Sequence, residues 1–281
     1  MTVCAGIVSP ARWLDPGALR AACGALEAAG IEVAIPDQNF AKCGQFAGDD
    51  RSRAEALNNL YANDRVDVIL CARGGYGASR ILDFIDYDLI SANPKPLIGY
   101  SDITALLCVI ADRTGAPVWH GPMLTDIARG LDSVSFERLL GVIRDQADPL
   151  PRMDLSVLRP GVGEGSIVGG NLSILATLCG TPYHLDMNGR VLFIEDTDEP
   201  AYGIDRMILQ LRLAGAFDKI EGLILGNFSE IRDAAEFGSG VEDIVLNLCK
   251  GTEFPILSGL RAGHSMPNLA IRLGTPFFHA S

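Results

Sequence analysis

Short apolar runs alternate with amphipathic stretches through the first half of the chain. Val3 to Val8 is apolar throughout and short enough to be a buried strand. Asp15-Pro16 comes next, an N-cap residue followed by a proline suited to the first helical position. Leu19, Cys23 and Leu26 then fall at i, i+4 and i+7 on one helical face, before Gly30 closes the helix. The pattern recurs. Ile31 to Ile35 predicts a strand, and Asp49-Asp50 opens a helix whose apolar face is Leu57, Leu60 and Tyr61. Val66 to Cys71 predicts a third strand and Pro96 to Gly99 a fourth. A mostly apolar helix then runs to about Arg113 with Gly115 just past it, followed by a strand at Pro117 to Trp119 and helices to about Ile143. Strands alternating with helices predict an α/β domain, a parallel Rossmann-like sheet covered on both faces.

Periodicity fades between Asp148-Pro149-Leu150-Pro151 and Pro160-Gly161-Val162-Gly163-Glu164-Gly165, which predicts a linker over 149–165. It separates an N-terminal domain, residues 1–148, from a smaller C-terminal one, residues 166–281. The second domain starts with a strand at Ser166 to Val168, then Gly169-Gly170-Asn171 leads into a helix over Leu172 to Leu178. Val191 to Ile194 is a strand that delivers Glu195 and Asp196 at its end. Tyr202 to Leu213 carries Ile204, Met207, Ile208 and Leu211 on one helical face. Ile220 to Leu225 and Phe254 to Leu257 are further strands, the last leading to the loop that holds His264.

Composition narrows the classes. At 48% hydrophobic and 21% charged, the 281 residues can bury a sizeable core in one large domain or two modest ones. A net charge of −12, unrelieved by any run of Lys and Arg, argues against nucleic acid and anionic membranes as partners. The N-terminus lacks the basic residues and long apolar region of a signal peptide, and the uncharged run from Gly165 to Leu185 is too polar and broken to span a bilayer. Seven scattered cysteines without a CxxC pair fit reduced thiols in a cytoplasmic protein, with neither a disulfide frame nor a zinc site.

Candidate chemistry begins at Gly99-Tyr100-Ser101-Asp102, where a strand turns into a helix. Such an elbow lifts a Ser hydroxyl off the strand end and aims the first helical N–H groups at developing negative charge. The usual pattern has Gly two residues after the Ser; here Ile103 stands there, and the competing reading is an ordinary βα turn with a Ser N-cap. Arg73-Gly74-Gly75-Tyr76-Gly77, directly after the third strand, lets backbone approach a ligand closely, and it matches neither Walker A nor GxGxxG. A Ser nucleophile needs a base, and the base an orienting group. The only histidines are His120, His184, His264 and His279. His120, at a strand end, reads as base, binder or satisfied core residue, and Glu195-Asp196 as acid/base couple, metal site or solvated loop. Ser101, Glu195 and His264 follow strand ends in an order also found in α/β-hydrolases, with a cleft between domains as the expected site. Spacing alone does not choose His264 over His120.

These motifs, together with Pro94-Lys95-Pro96-Leu97-Ile98-Gly99, His120-Gly121-Pro122-Met123, Gly169-Gly170-Asn171-Leu172, Phe193-Ile194-Glu195-Asp196, Asp205-Arg206 and Gly263-His264, resemble the LD-carboxypeptidase family of serine peptidases. That family holds murein tetrapeptide carboxypeptidases and microcin C immunity peptidases, and the likeness covers nearly the whole chain. The resemblance implies Ser101 as nucleophile, His264 as base and Glu195 as its orienter, with an oxyanion hole from the backbone N–H groups of Gly74 and Asp102. Arg73, Gly75, Tyr76, His120, Asn171 and Arg206 are the substrate-binding candidates it marks. It implies hydrolysis of the bond between an L-residue and a C-terminal D-amino acid through an acyl-enzyme. The expected substrate is a small murein-type peptide, with no metal or cofactor, in a cytoplasmic homodimer with a partly β C-terminal domain. The lack of a longer insertion tilts the substrate toward murein peptide rather than a microcin-type conjugate. A binding protein that keeps the cleft without turnover is the alternative from another class.

Overall fold

The computed structural model describes residues 2–151 and 154–281. The chain divides into two compact units: one runs up to Pro149 and regains Leu269–Arg272, the other holds Leu150–Asn268 and Leu273–Ser281.

The first unit is built on strands β1 (Cys4–Val8), β2 (Glu32–Ala34), β3 (Val68–Cys71), β4 (Leu97–Gly99) and β5 (Val118–His120). Its helices are α1 (Pro16–Ala28), α2 (Asp50–Ala62), α3 (Tyr87–Ala92), α4 (Thr104–Thr114), α5 (Leu124–Ala128) and α6 (Ser133–Ile143). The five strands are parallel in the order β2-β1-β3-β4-β5, a common doubly wound arrangement. The caps work as the sequence implies. Asp15 Oδ1 accepts the N–H groups of Gly17 and Ala18 at 2.9 and 3.0 Å, and Asp49 Oδ1 accepts that of Ser52 at 2.7 Å. Alternate β1 residues serve opposite faces. Ala5 and Ile7 join a core with Leu19, Cys23 and Leu26 of α1 and Leu139 and Ile143 of α6, while Gly6 lies under Leu60 of α2.

The second unit contains β6 (Ser156–Arg159), β7 (Val162–Asn171), α7 (Leu172–Leu178), β8 (Arg190–Thr197), α8 (Ala201–Leu213), β9 (Gly222–Ser229), α9 (Ala234–Phe237), α10 (Val241–Leu248) and β10 (Ile256–Ser258). After β11 (Ile271–Arg272), which belongs to the first unit, comes β12 (Pro276–Ala280). β7, β8, β9 and β10 are parallel; β12 and β6 close the two edges antiparallel. The fold is therefore α/β throughout, with a parallel N-terminal sheet and substantial β-structure in the C-terminal unit.

Residues 149–165 differ from the linker expected there. Arg152 and Met153 lie outside the described residues, but β6 and the start of β7 occupy much of the span. β6 is a half-exposed edge strand, so it lacks the apolar alternation that would reveal it. The Arg159 guanidinium secures it by donating to the carbonyls of Cys249 and Phe254 and to Thr252. β11 pairs antiparallel with β5, too short to show a period. All seven cysteines are free, and Cys43 is exposed where the apolar runs suggest burial for most.

One buried cation organises the loops above the first sheet. Arg53 on α2 is fully buried, donates through Nη1 to the carbonyls of Pro10 and Gly77, and pairs with Asp50. Burial holds its pKa below the usual range while the Asp50 carboxylate opposes that. Arg53→Ala should lower the unfolding free energy by about 2–4 kcal/mol, since it leaves the Pro10 and Gly77 carbonyls without their donor, while Asp50 keeps Arg80. Arg53→Lys should recover only part of this, because one ammonium does not reproduce the fork. Urea denaturation with an unchanged m-value reads both; a wild-type midpoint for Arg53→Ala would refute the role.

Candidate active site

In the first unit the strand-to-helix elbow is built as the sequence suggests. Tyr100 is extended and Ser101 adopts φ 62°, a left-handed conformation uncommon for a residue with a side chain. A 3₁₀ turn over Ser101–Ile103 then runs into α4. Ile103 at the usual glycine position has a simple reason: a Cβ on Gly99 would meet Ile103 Cγ2 at 2.9 Å, so the glycine before the Ser makes room for it.

The glycine loop after β3 lies against this elbow. A Cβ on Gly74 would stand 3.2 Å from Ser101 Cβ, 3.4 Å from Ser101 Oγ and 3.4 Å from the Asp102 backbone nitrogen. Gly74 and Asp102 thus bring two backbone segments beside one hydroxyl, the layout an oxyanion hole requires. The buried Asp102 side chain fastens the two loops together: its Oδ2 accepts the Ala78 N–H at 2.8 Å. Burial raises the Asp102 pKa, opposed by the Ala78 and Gly77 N–H groups and by Arg53.

In the second unit, β8 carries a register irregularity against β9 between Ile194 and Asp196, at Glu195. Bulges of this kind re-aim side chains at sites. Glu195 is fully buried and its Oε2 lies 2.7 Å from His264 Nδ1. With the carboxylate ionised, Nδ1–H donates and Nε2 keeps a lone pair for a substrate or hydroxyl proton. Gly263 admits this contact: its φ is +127°, and a Cβ there would fall 2.7 Å from Glu195 Oε2. The Asn171 Nδ2 donates to Glu195 Oε1 at 3.3 Å and to Asp196 Oδ1 at 2.9 Å. Its Oδ1 accepts from Ser173 Oγ and caps α7 through the Ile174 N–H.

The remaining sequence candidates divide. His120 is buried at the end of β5 with its ring edge-on to Tyr100, centroids 5.8 Å apart. Tyr100 in turn donates to Asp126 at 2.9 Å. Gly75 has φ +105° and lies against the Arg12 side chain. Half-buried Arg73 reaches the Trp13 carbonyl at 3.4 Å. Tyr76 is exposed beside Phe46, and Arg206 is exposed on α8 over the Tyr202 ring. Asn171 is 4% exposed and its amide is spent on Glu195, Asp196 and the helix cap, partners that leave it little reach toward a substrate. Among the described residues no three His, Cys, Asp or Glu side chains group to hold a metal, and no helix is long and apolar enough to cross a membrane. Sequence reasoning passed over Arg12, which nothing local marks.

Two family models match this chain, the LD-carboxypeptidase N-terminal domain over residues 5–121 and its C-terminal domain over residues 164–277. The chain belongs to the LD-carboxypeptidase family. It is a serine carboxypeptidase by that membership. A probable murein peptide carboxypeptidase of Bacillus subtilis is 37% identical, over 96% of this chain and 86% of the relative. The murein tetrapeptide carboxypeptidase of Pseudomonas aeruginosa is 31% identical over 94% and 89%. Among solved LD-carboxypeptidase relatives, the microcin C7 self-immunity protein MccF in complex with aspartyl sulfamoyl adenosine superposes with a TM-score of 0.90 at 26% identity, covering 100% of this chain and 93% of that one. The muramoyltetrapeptide carboxypeptidase of Oxalobacter formigenes gives 0.87 at 27%, covering 99% and 95%.

The pair of adjacent buried acids has a measurable signature in this LD-carboxypeptidase. Burial, and then the Glu195 charge, push Asp196 up to about 6; the N–H groups of Thr197, Asn171 and Ser173 oppose them. A carboxyl group raised on folding contributes stability below its unfolded value, about 4, and loses it as pH rises through about 6. Urea midpoints of the wild type should therefore carry a declining contribution over that window, and Asp196→Asn should lack it. Parallel pH profiles for the two proteins would contradict the assignment.

Proposed function

We propose that this chain removes the C-terminal D-amino acid from a small murein-type peptide through an acyl-enzyme on Ser101. The observation that carries the reading is the Ser101 elbow, with φ 62° and Gly74 beside its hydroxyl. The Glu195–His264 contact of the second unit is the matching base. The proposal requires the two units to present these groups to one substrate.

His264 Nε2 takes the Ser101 proton as Oγ attacks the carbonyl of the L-residue. The oxyanion lies between the N–H groups of Gly74 and Asp102, where each donor is worth about 10²–10³ in rate. The imidazolium, steadied by Glu195, returns its proton to the leaving amine, and the D-amino acid departs. Water, with His264 again as base, hydrolyses the ester and frees Ser101. These steps require only the chain's own side chains, backbone donors and water. The curated relatives named for murein peptides favour this substrate class. We further propose a cytoplasmic homodimer, the state the family resemblance implies; sedimentation reads the oligomeric state.

A second reading is an immunity-type peptidase acting on an aminoacyl-nucleotide conjugate, favoured by the likeness to MccF bound to aspartyl sulfamoyl adenosine. Mass spectrometry separates them. Wild-type protein should release D-Ala from a murein tetrapeptide, and Ser101→Ala should not. Release from the conjugate alone would transfer the assignment to the second reading. Equal release by Ser101→Ala would remove Ser101 as nucleophile. Glu195→Gln should lower kcat by about 10³–10⁴ by disturbing the His264 tautomer; near-normal turnover would end its role.

A further inference from the structure

Three arginines belong to segments joined at the carboxyl ends of β1 and β3, α5 being tied there by the Thr125 N–H, which donates to the Ala72 carbonyl at 2.9 Å. Arg12 follows β1, Arg73 follows β3, and Arg129 caps the end of α5. The loops interlock: the Arg12 N–H reaches the Gly74 carbonyl at 3.4 Å, Arg73 Nη1 reaches the Trp13 carbonyl at 3.4 Å, and the missing side chain of Gly75 leaves room for that of Arg12. Besides burial, the charges that bear on Arg73 are those of Arg12 and Arg129, both repulsive. Among the described residues, none of the three makes an ion pair. Four other arginines do pair with acids: Arg53 and Arg80 share Asp50, Arg65 meets Glu32 and Arg232 meets Asp198.

Its place in the fold points to a ligand. In the order β2-β1-β3-β4-β5 the chain winds outward to β2 and then returns to β3 on the other side of β1. The crevice between the β1 and β3 ends is the topological switch point, where open α/β sheets bind ligands. Arg73 is also one residue from Gly74, whose Cβ position would be 3.4 Å from Ser101 Oγ. In a peptide cleaved at its last bond, the terminal carboxylate is three bonds from the carbonyl carbon that Ser101 attacks. It therefore lies within a side-chain length of the Gly74 loop. Guanidinium forks suit a carboxylate better than any other side chain.

We infer that Arg12, Arg73 and Arg129 form the subsite for the free C-terminal carboxylate of the substrate. The inference rests on the carboxypeptidase reading above and makes the requirement for a free terminus a property of the first unit.

The test uses calorimetric titration of the turnover-blocked Ser101→Ala protein with a murein tetrapeptide and with its C-terminal carboxamide. The carboxylate form should bind about 10–100-fold more tightly, the worth of charge-assisted bonds to a half-buried Arg. Adding Arg73→Ala or Arg12→Ala should erase most of that preference, and Arg129→Ala about threefold of it, because Arg129 is exposed. Carboxamide binding should not change. In otherwise wild-type protein the same substitutions should raise KM and leave kcat nearly intact. Replacing exposed Arg129 disturbs no packing, which keeps the test open if Arg73→Ala fails to fold. Turnover by the wild type with binding blind to all three arginines would overturn this inference alone. Arginine- and carboxylate-dependent binding without release of D-Ala by the wild type would overturn the reaction reading alone. No binding of either peptide would overturn both.

Discussion

A carboxylate with no exposed surface is tolerated only when its lone pairs are occupied, because taking it out of water is strongly unfavourable. Glu195 is that group, and much of the second unit is shaped around it. The β8 irregularity turns it, Gly226 and Gly263 leave the space it fills, and Asn171 and His264 supply its donors. Asn171 has a second duty, since the same amide caps α7 and bridges to Asp196. The helix that follows β7 and the carboxylate at the end of β8 are therefore fixed by one side chain. Loss of any partner leaves a buried charge uncompensated, so the His264 orientation depends on packing well away from its ring.

The first unit answers a different constraint. Ser101 sits in a backbone conformation that costs on the order of 1–3 kcal/mol, and such a conformation persists only when its surroundings over-determine it. Two buried ionisable groups do so. Asp102 binds the Ala78 N–H, and Arg53 binds the Gly77 carbonyl. Both hold the glycine loop down on the elbow, so the strain is balanced across a network that joins α2, the β3 loop and the start of α4. Gly74 can be close to Ser101 because these side chains, remote from the hydroxyl, fix the loop that carries it.

Local signals in the sequence were enough for most elements and for the elbow. Asp15, Asp49 and Asn171 cap helices where their positions imply, and Leu172–Leu178 and the Gly115 stop agree with the pattern. These features depend on neighbours within a turn or two. What escaped notice depends on distant pairing. β11 joins β5 from about 150 residues downstream, and β6 is a short edge strand held by an arginine fork. Asn171 is another case: its reach across 24 residues to Glu195 is written in strand register, which no window of sequence displays. Cys43 likewise shows that thiol burial follows packing that hydropathy averages over.

Charge shows most clearly why a site can be hidden in a sequence whose fold is legible. Read as a whole, −12 suggests a surface with no appetite for anions. Net charge sums over every residue, whereas recognition acts within a Debye length, about 8–10 Å at ordinary ionic strength. Arg12, Arg73 and Arg129 are 61 and 56 positions apart, the differences of their own numbers, so no basic cluster appears along the chain. The sheet order brings the Arg12 and Arg73 loops together anyway, by laying the β1 and β3 ends side by side, and α5, bonded to Ala72 after β3, adds Arg129. A fold that sets its nucleophile beside such a cluster can thus gain selectivity for a charged terminus without any basic run in its sequence.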